Sequence, residues 1–140
     1  LMNRGARNSL IPWCLEHGTG VIVYSPMASG LLTGKFDAGR VRDLPDDDWR
    51  KSSPDFQEPR LSANLELVGR LAALAERLGA TLPALAVAWT LSISGVSAAI
   101  VGARRPDQVD GWRPASDLDL SEEDLAEIEA AVEDTGAGSE

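Results

Sequence analysis

The stretch Gly20-Val-Ile-Val-Tyr-Ser-Pro-Met-Ala-Ser-Gly-Leu-Leu-Thr-Gly-Lys35 carries the clearest structural signal in this sequence. Its apolar residues 21–24 lack polar alternation and predict a short parallel strand that is buried on both faces. The strand ends in a turn of small residues, where Gly30 and Gly34 allow the backbone to approach a ligand closely. Lys35 adds a flexible positive charge suited to a phosphate group. The stretch therefore predicts a strand that leads into an anion-binding turn.

Two common nucleotide-binding motifs do not fit this turn. A Walker A loop has four residues between its glycines and a Ser or Thr after its lysine. Here three residues separate Gly30 from Gly34, and Phe36 follows Lys35. The Gly-x-Gly-x-x-Gly motif after a strand, which marks the doubly wound dinucleotide-binding fold, is also missing. A P-loop hydrolase is therefore a poor fit, and we expect another architecture to hold any nucleotide.

Composition narrows the class of protein. The chain has 140 residues, of which 44% are hydrophobic, and a formal net charge of −9. This acidic balance argues against a nucleic-acid partner, because phosphate-backbone binding needs a basic stripe. The single cysteine excludes an internal disulfide, and the sequence shows neither a signal peptide nor an apolar stretch of membrane-spanning length. We expect a cytoplasmic location and no membrane partner.

Helical and strand patterns alternate along the chain. They predict helices at 8–17, 62–78 and 106–112, a helix capped by Thr81 and a last helix begun by a capping box of Ser121 and Asp124, and strands at 21–24 and 97–101. Residues 25–60 show no convincing period and predict a long loop, which in a compact domain is usually functional or mobile.

Two strands separated by helices cannot close a sheet, so the pattern predicts the end of a larger α/β fold. The fold class we predict is the C-terminal portion of a (β/α)8 TIM barrel, an incomplete barrel made of its last two strands with their helices. In such barrels the loops after strands seven and eight, with the start of a short extra helix, often form a phosphate site. Here the loop Gly102-Ala-Arg-Arg-Pro-Asp-Gln108 leads into the short helix and brings Arg104 and Arg105 beside its N-terminus.

The start of the chain adds to this expectation. It opens at Leu1 rather than at an initiator methionine and enters its first helix with little preamble. We therefore expect a part of a longer protein, with residues 1–135 forming the barrel portion and residues 136–140 a flexible tail. The N-terminal half of the same barrel is then the expected structural partner.

Two motifs together resemble those of a known family. The run Tyr24-Ser-Pro-Met-Ala-Ser-Gly-Leu-Leu-Thr-Gly-Lys-Phe36 is followed, in the second half of the chain, by Ile100-Val-Gly-Ala-Arg-Arg-Pro-Asp-Gln-Val109. In this order they resemble the C-terminal part of an aldo-keto reductase, of the bacterial branch related to potassium-channel β subunits. The resemblance covers nearly the whole chain. It implies an NADP-dependent oxidoreductase that reduces aldehydes or ketones by hydride transfer from the nicotinamide.

The resemblance implies a role for each matching residue in a cofactor site. Tyr24 matches the aromatic residue that stacks on the nicotinamide ring, and Lys35 matches the lysine that closes the pyrophosphate turn. The turn itself is matched by Ser25, Pro26, Met27, Ala28, Ser29 and Gly30. The second motif, which reaches the adenosine end and the 2′-phosphate of NADP, is matched by Gly102, Arg104 and Gln108. These roles suit the chemistry, because amides and cations bind phosphates and flat rings stack.

Three departures from the family pattern affect these implications. Met27 replaces the usual leucine, which conserves volume. Gly111 and Trp112 stand where many relatives have Glu-Asn, so contacts to adenine cannot be carried over there. Arg104 stands where some relatives have serine, and its charge favours the additional phosphate of NADP. We therefore expect NADP, as NADPH, to be the cofactor, with NAD the weaker candidate.

No catalytic residue and no metal site are assigned. In the family that the motifs resemble, the Asp, Tyr, Lys and His that transfer protons lie in the first half of the barrel, which this sequence does not contain. Tyr24 is the only tyrosine, but its motif assigns it to stacking. His17 fits a helix C-terminus, and Cys14 fits a core position. The acidic residues in 37–48 lack ordered ligand spacing and predict a solvated face.

Three classes of function stay open. The first is an NADP-dependent carbonyl reductase whose substrate is a small carbonyl compound and whose cofactor-binding end is this chain. The second is a non-catalytic, NADP-binding regulatory subunit of the same fold. The third is another barrel enzyme that binds a phosphorylated substrate at the two loops. The sequence does not indicate an oligomeric state.

Overall fold

A computed structural model describes residues 1–138 of the chain. Within that range the order of elements is α1 (Leu10–Glu16), β1 (Val21–Tyr24), α2 (Ala38–Arg42), α3 (Arg60–Arg77), α4 (Leu82–Ser92), β2 (Val96–Ile100), α5 (Pro106–Trp112) and α6 (Glu122–Thr135). The strands β1 and β2 pair in parallel, and a parallel pair needs a long crossover connection, which α2, α3 and α4 provide here. The predicted alternation of helices and strands is confirmed.

Local capping interactions place the starts of two helices. The Thr81 hydroxyl accepts a hydrogen bond from the Ala84 N–H at 3.1 Å and caps α4. At α6 the Ser121 hydroxyl accepts from the Asp124 N–H at 3.1 Å, and the Asp124 carboxylate accepts in return from the Ser121 N–H at 2.9 Å. Both predicted caps are confirmed, because each depends only on residues three apart in the chain.

One face of the two-stranded sheet is open. We predicted that β1 is buried on both faces, but this is wrong, since Ile22 is 63% exposed and Tyr24 is 81% exposed. Tyr24 pairs in register with Ile100, which is 61% exposed. Side chains alternate between the faces of a strand, and the described helices cover one of these faces.

The segment 25–59 is more regular than predicted. In place of a plain loop it contains 3-10 helices at Ala28–Thr33, Trp49–Ser52 and Pro54–Phe56 in addition to α2. Six of its apolar side chains are buried and tie the segment to the core: Leu31, Leu32, Phe36, Val41, Leu44 and Phe56. Anchors at irregular spacing have no helical period, and for this reason periodicity did not reveal them.

The main core lies where α3, α4 and α6 meet this segment. Leu67, Leu85 and Ile128, one from each helix, are 0% exposed.

No single helix within the described residues has both the length and the apolar character to cross a bilayer. Helices α3 and α4 are bent by 92° relative to each other, and only when taken together do they reach the length and apolar character of a membrane-spanning segment.

The end of the described chain also belongs to the core. Ala137 is 4% exposed, and the Gly138 N–H donates to Asn64 Oδ1 at 3.1 Å. Within the tail that the sequence predicts to be flexible, over 136–140, an apolar side chain and a backbone hydrogen bond attach residues 137 and 138 to the core. The remaining two residues of the predicted tail, 139–140, lie outside the described residues.

Candidate functional site

A groove of about 690 Å³ lies between the segment that follows β1 and the segment that follows β2. Because the two strands are parallel neighbours, their carboxyl ends lie at the same edge of the sheet and the loops meet there. Thr81 and Pro83, at the start of α4, complete the wall. Nine of the eleven predicted cofactor residues line this groove: Ser25, Pro26, Met27, Ser29, Gly30, Lys35, Gly102, Arg104 and Gln108.

Tyr24 and Ala28 are the two predicted residues that do not line the groove. Tyr24 is the last residue of β1 and directly precedes Ser25, so it stands at the entrance of the groove with its side chain on the open face of the sheet. Ala28 lies inside the turn, where its backbone adopts a φ of +48°.

The turn after β1 has a strained backbone. Ser25, Ala28 and Ser29 adopt φ angles of +54°, +48° and +57°. Left-handed conformations of non-glycine residues each cost about 1–3 kcal/mol and cluster at binding sites. Gly30 has a φ of +103°, and a Cβ atom there would lie 3.1 Å from Phe36 Cε2. The turn therefore requires glycine at position 30, and its residues 25–27, 29 and 30 line the groove.

Phe36 packs between two arginines at the wall of the groove. The guanidinium carbons of Arg40 and Arg50 lie 4.9 Å and 5.1 Å from the centroid of its ring. Phe56 contacts the same ring edge-on, with 5.4 Å between the centroids. Arg40 Nη1 also donates to the Lys35 carbonyl oxygen at 2.9 Å. Cation–π packing therefore orients two positive charges toward the groove.

Asp48 neutralises one of these charges. Arg50 Nε donates to Asp48 Oδ1 at 2.9 Å, and Arg50 Nη2 donates to the other carboxylate oxygen. These hydrogen bonds, together with one from the Arg50 N–H, lower the pKa of Asp48 to about 2. The charge of Arg104, on the loop after β2, lowers the same pKa further. Arg50 is thus rigidly placed, while its charge is largely balanced.

The loop after β2 is held together by its own side chains. Gln108 Oε1 accepts hydrogen bonds from the N–H groups of Arg104 at 2.7 Å and of Arg105 at 3.2 Å. Arg105 forms a two-point ion pair with Asp107, at 3.1 Å and 3.0 Å, and this pairing lowers the pKa of Asp107. The side-chain oxygen of Gln108 therefore holds the backbone of the loop in place by two hydrogen bonds. The family resemblance, in contrast, implies that Gln108 contacts the cofactor.

The groove carries an excess of positive charge. Its lining includes one carboxylate, Asp107, and four cations: Lys35, Arg40, Arg50 and Arg104. Within residues 1–138, Lys35, Arg40 and Arg104 form no ion pair, whereas Asp107 and Arg50 are both paired. In a chain of net charge −9 this local excess favours an anionic ligand.

Several lining residues were not identified from the sequence: Thr33, Phe36, Arg40, Arg50, Thr81, Pro83, Ala103, Asp107, Gly111 and Trp112. Arg40 and Arg50 lie in the segment that shows no helical or strand periodicity, so the sequence did not indicate which way their side chains point. Thr81 and Pro83 were recognised only as residues of a helix start. We find no cluster of three or more metal-ligating side chains in the part of the chain that the structure describes.

Known proteins match almost the entire chain. The profile described as "Aldo/keto reductase family" matches residues 1–133. Aldo-keto reductase YhdN of Bacillus subtilis strain 168 is 32% identical over 136 residues, which are 96% of this chain and 40% of that protein. The NADH-specific methylglyoxal reductase of Escherichia coli K12 is also 32% identical over 136 residues, which are 95% of this chain and 40% of that protein.

A solved structure shows the same arrangement of elements. The glycerol dehydrogenase of Gluconobacter oxydans superposes with a TM-score of 0.87 at 30% identity, over 99% of this chain and 41% of that structure. The chain therefore spans about 40% of the length of the relatives it matches.

Proposed function

Because the chain belongs to the aldo/keto reductase family of oxidoreductases, we propose that it forms the cofactor-binding part of an NADP-dependent enzyme that reduces small aldehydes or ketones. The observation that carries the proposal is the groove at the carboxyl ends of β1 and β2, where three cations that form no ion pair with any described residue meet a glycine-containing turn. A phosphate-rich dinucleotide has the charge and the extended shape that such a groove accepts.

The residues of the groove fit the parts of this cofactor. Lys35 and the strained turn at 25–30 offer a cation and main-chain groups to the pyrophosphate, and Arg104 offers a guanidinium to a further phosphate. Tyr24, at the entrance, offers a flat ring to the nicotinamide. When bound, the reduced nicotinamide supplies the hydride. The residues of this chain bind and orient it, and we assign the proton donor to another part of the full-length protein.

The preference for NADP rests on the number of free positive charges. Asp107 and Arg50 are compensated within the protein, which leaves Lys35, Arg40 and Arg104 for the ligand. Two of these cations are sufficient to balance a pyrophosphate, and a third suits the 2′-phosphate. One relative is named as an NADH-specific methylglyoxal reductase, and a comparison of NADPH with NADH therefore decides the preference of this protein.

A pair of titrations tests the proposal. We expect the full-length protein to bind NADPH more tightly than NADH, as measured by calorimetry or by quenching of tryptophan fluorescence. Arg104→Ala is expected to weaken NADPH binding about tenfold, because one charge-assisted contact is lost, and to affect NADH much less. Arg113→Ala is the matched control, since Arg113 is exposed and lies outside the groove. Tighter binding of NADH would overturn the preference, and no binding of either dinucleotide would overturn the proposed function.

A regulatory subunit that binds NADP without turnover is the second candidate. It is favoured by one observation, namely that the candidate cofactor groove lies in this chain while no proton donor has been assigned in it. Turnover of a small aldehyde by the full-length protein with NADPH would exclude this candidate. Binding of NADPH without turnover of any aldehyde or ketone would favour it over the reductase.

A further inference from the structure

Asn64 is a polar side chain inside the apolar core. It lies on α3 and is 1% exposed, and other buried residues of the same helix, such as Leu61, Leu67 and Val68, are apolar. An amide that is removed from water without hydrogen bonds destabilises a fold, so its partners have to account for its presence here. Packing alone would be served by a leucine of similar volume.

The amide of Asn64 joins two main-chain segments that are far apart in the sequence. Its Nδ2 donates to the Asp55 carbonyl oxygen at 2.9 Å, and its Oδ1 accepts from the Gly138 N–H at 3.1 Å. One partner needs a donor and the other needs an acceptor. A carboxylate lacks the donor and an alkyl group lacks both, so asparagine is matched to this pair of partners.

Asp55 belongs to a segment that is hydrogen-bonded to itself. Within segment 44–57, Lys51 Nζ donates to the Leu44 carbonyl oxygen at 3.2 Å and to Asp46 Oδ1 at 2.6 Å. Gln57 Nε2 donates to the Lys51 carbonyl oxygen at 3.0 Å. These contacts connect both ends of the segment to its middle, so the segment moves as one piece rather than residue by residue.

Contacts of two kinds attach the end of segment 44–57 to the core. Phe56 is 2% exposed and packs among the core side chains, but apolar contact has no preferred direction. The hydrogen bond from Asn64 to the Asp55 carbonyl oxygen is directional. The burial of Phe56 therefore holds the segment against the core, and the hydrogen bond from Asn64 sets its orientation.

Arg50 extends from segment 44–57 to the groove and lines it. Its Nη1 donates to the Ser29 carbonyl oxygen at 3.4 Å, within the strained turn, and its guanidinium carbon lies 5.1 Å from the centroid of the Phe36 ring. Asn64 itself lies outside the lining of the groove. A rotation of the segment would therefore change where Arg50 meets the turn.

We propose that Asn64 is a positioning residue for the cofactor groove: it holds segment 44–57 at the angle that places Arg50 against the turn at 25–30, with the main chain at Gly138 as its support. This inference rests on the proposed function. Asn64 acts through the Asp55 carbonyl group and not through the ligand. Its replacement should therefore change the affinity for the cofactor in a way that depends on Arg50.

Asn64→Leu in the full-length protein removes both hydrogen bonds at nearly constant volume. We expect it to bind NADPH about fivefold more weakly in calorimetry, which is within the range of couplings transmitted through packed side chains. Ile128→Val is the matched control, since Ile128 is 0% exposed and adjoins Glu127, which pairs with Arg77 at the opposite end of α3. It should lower the urea midpoint but leave the affinity for NADPH unchanged.

A double-mutant cycle separates positioning from a general loss of stability. Arg50→Ala removes the group that Asn64 positions, so we expect Asn64→Leu to cause no further loss of NADPH affinity in that background. An undiminished loss there would show that Asn64 does not act through Arg50, and it would overturn the inference. Unchanged affinity in Asn64→Leu, or an equal loss of affinity in Ile128→Val, would overturn it as well.

Asn64→Ser provides the same test if Asn64→Leu does not fold, because it leaves fewer buried groups without a partner. Its shorter side chain serves one of the two partners at most, and we expect NADPH binding to weaken about twofold to threefold, again only when Arg50 is present. If the unaltered protein binds no NADPH, the proposed function fails and the inference falls with it. Equally tight NADPH binding by the unaltered protein and by Asn64→Ser refutes the role of Asn64 alone.

Discussion

Replacement of Phe36 by leucine tests how much the aromatic and cation–π contacts of this ring contribute to the free energy of unfolding, beyond the burial of an apolar side chain. Phe36 is 8% exposed, and its ring contacts Arg40, Arg50 and Phe56. Leucine retains most of the buried apolar volume but has no π-system. The variant Phe56→Leu is the matched control, because Phe56 is also buried and shares the edge-on aromatic contact but has no arginine over its ring.

The contacts of Phe36 determine the expected loss of stability. The edge-on aromatic pair contributes about 1 kcal/mol. The contact with the exposed Arg40 contributes about 0.5 kcal/mol, and the contact with Arg50, which is largely desolvated, about 1 kcal/mol. We therefore expect Phe36→Leu to lower the free energy of unfolding by about 2.5 kcal/mol and Phe56→Leu by about 1 kcal/mol.

Urea unfolding of the two full-length variants, followed by circular dichroism, measures this difference directly. A parallel titration with NADPH should show weaker binding for Phe36→Leu, by about threefold, because Arg40 and Arg50 lose the ring that orients them. Phe56→Leu should bind NADPH as the unaltered protein does. If the two variants lose equal stability, the cation–π contacts do not contribute and the reasoning is refuted.

Three further predictions concern the loops and the end of the chain. Gln108→Leu removes the acceptor of two N–H groups, so we expect the free energy of unfolding to fall by about 1–2 kcal/mol and NADPH binding to weaken; unchanged affinity in calorimetry would contradict this. The pKa of Asp48 is lowered to about 2 by Arg50, below its ordinary value near 4 in the unfolded chain, so its stabilising effect is complete above pH ~4 and is lost as pH falls toward 2. Asp48→Asn should therefore make the urea midpoint less dependent on pH in that window, and an unchanged acid profile would contradict the assignment. Gly138→Ala should lower the melting temperature, because φ is +82° there and a Cβ atom would lie 3.0 Å from the Met2 carbonyl carbon; an unchanged melting temperature would show that this end is not packed.

Local sequence signals were sufficient for much of the fold. The caps at Thr81 and Ser121 and the extents of β1 and α5 agree with the prediction, since each depends on residues a few positions apart. The family followed from two motifs in a fixed order, and its profile matches residues 1–133. The roles assigned to the site residues remain proposals, although nine of the eleven line one groove.

The sequence by itself therefore determined the two strands, the longer helices, their order and the two loops that follow the strands, because these depend on spacing along the chain. Only the tertiary structure decided which charges remain free: Arg50 is balanced by Asp48 and Asp107 by Arg105, while Arg104 is unpaired among the described residues. It also decided the burial of Ala137 and the open face of β1. Burial and charge compensation depend on contacts between distant residues and on which neighbours cover a surface, and no local pattern encodes either of these.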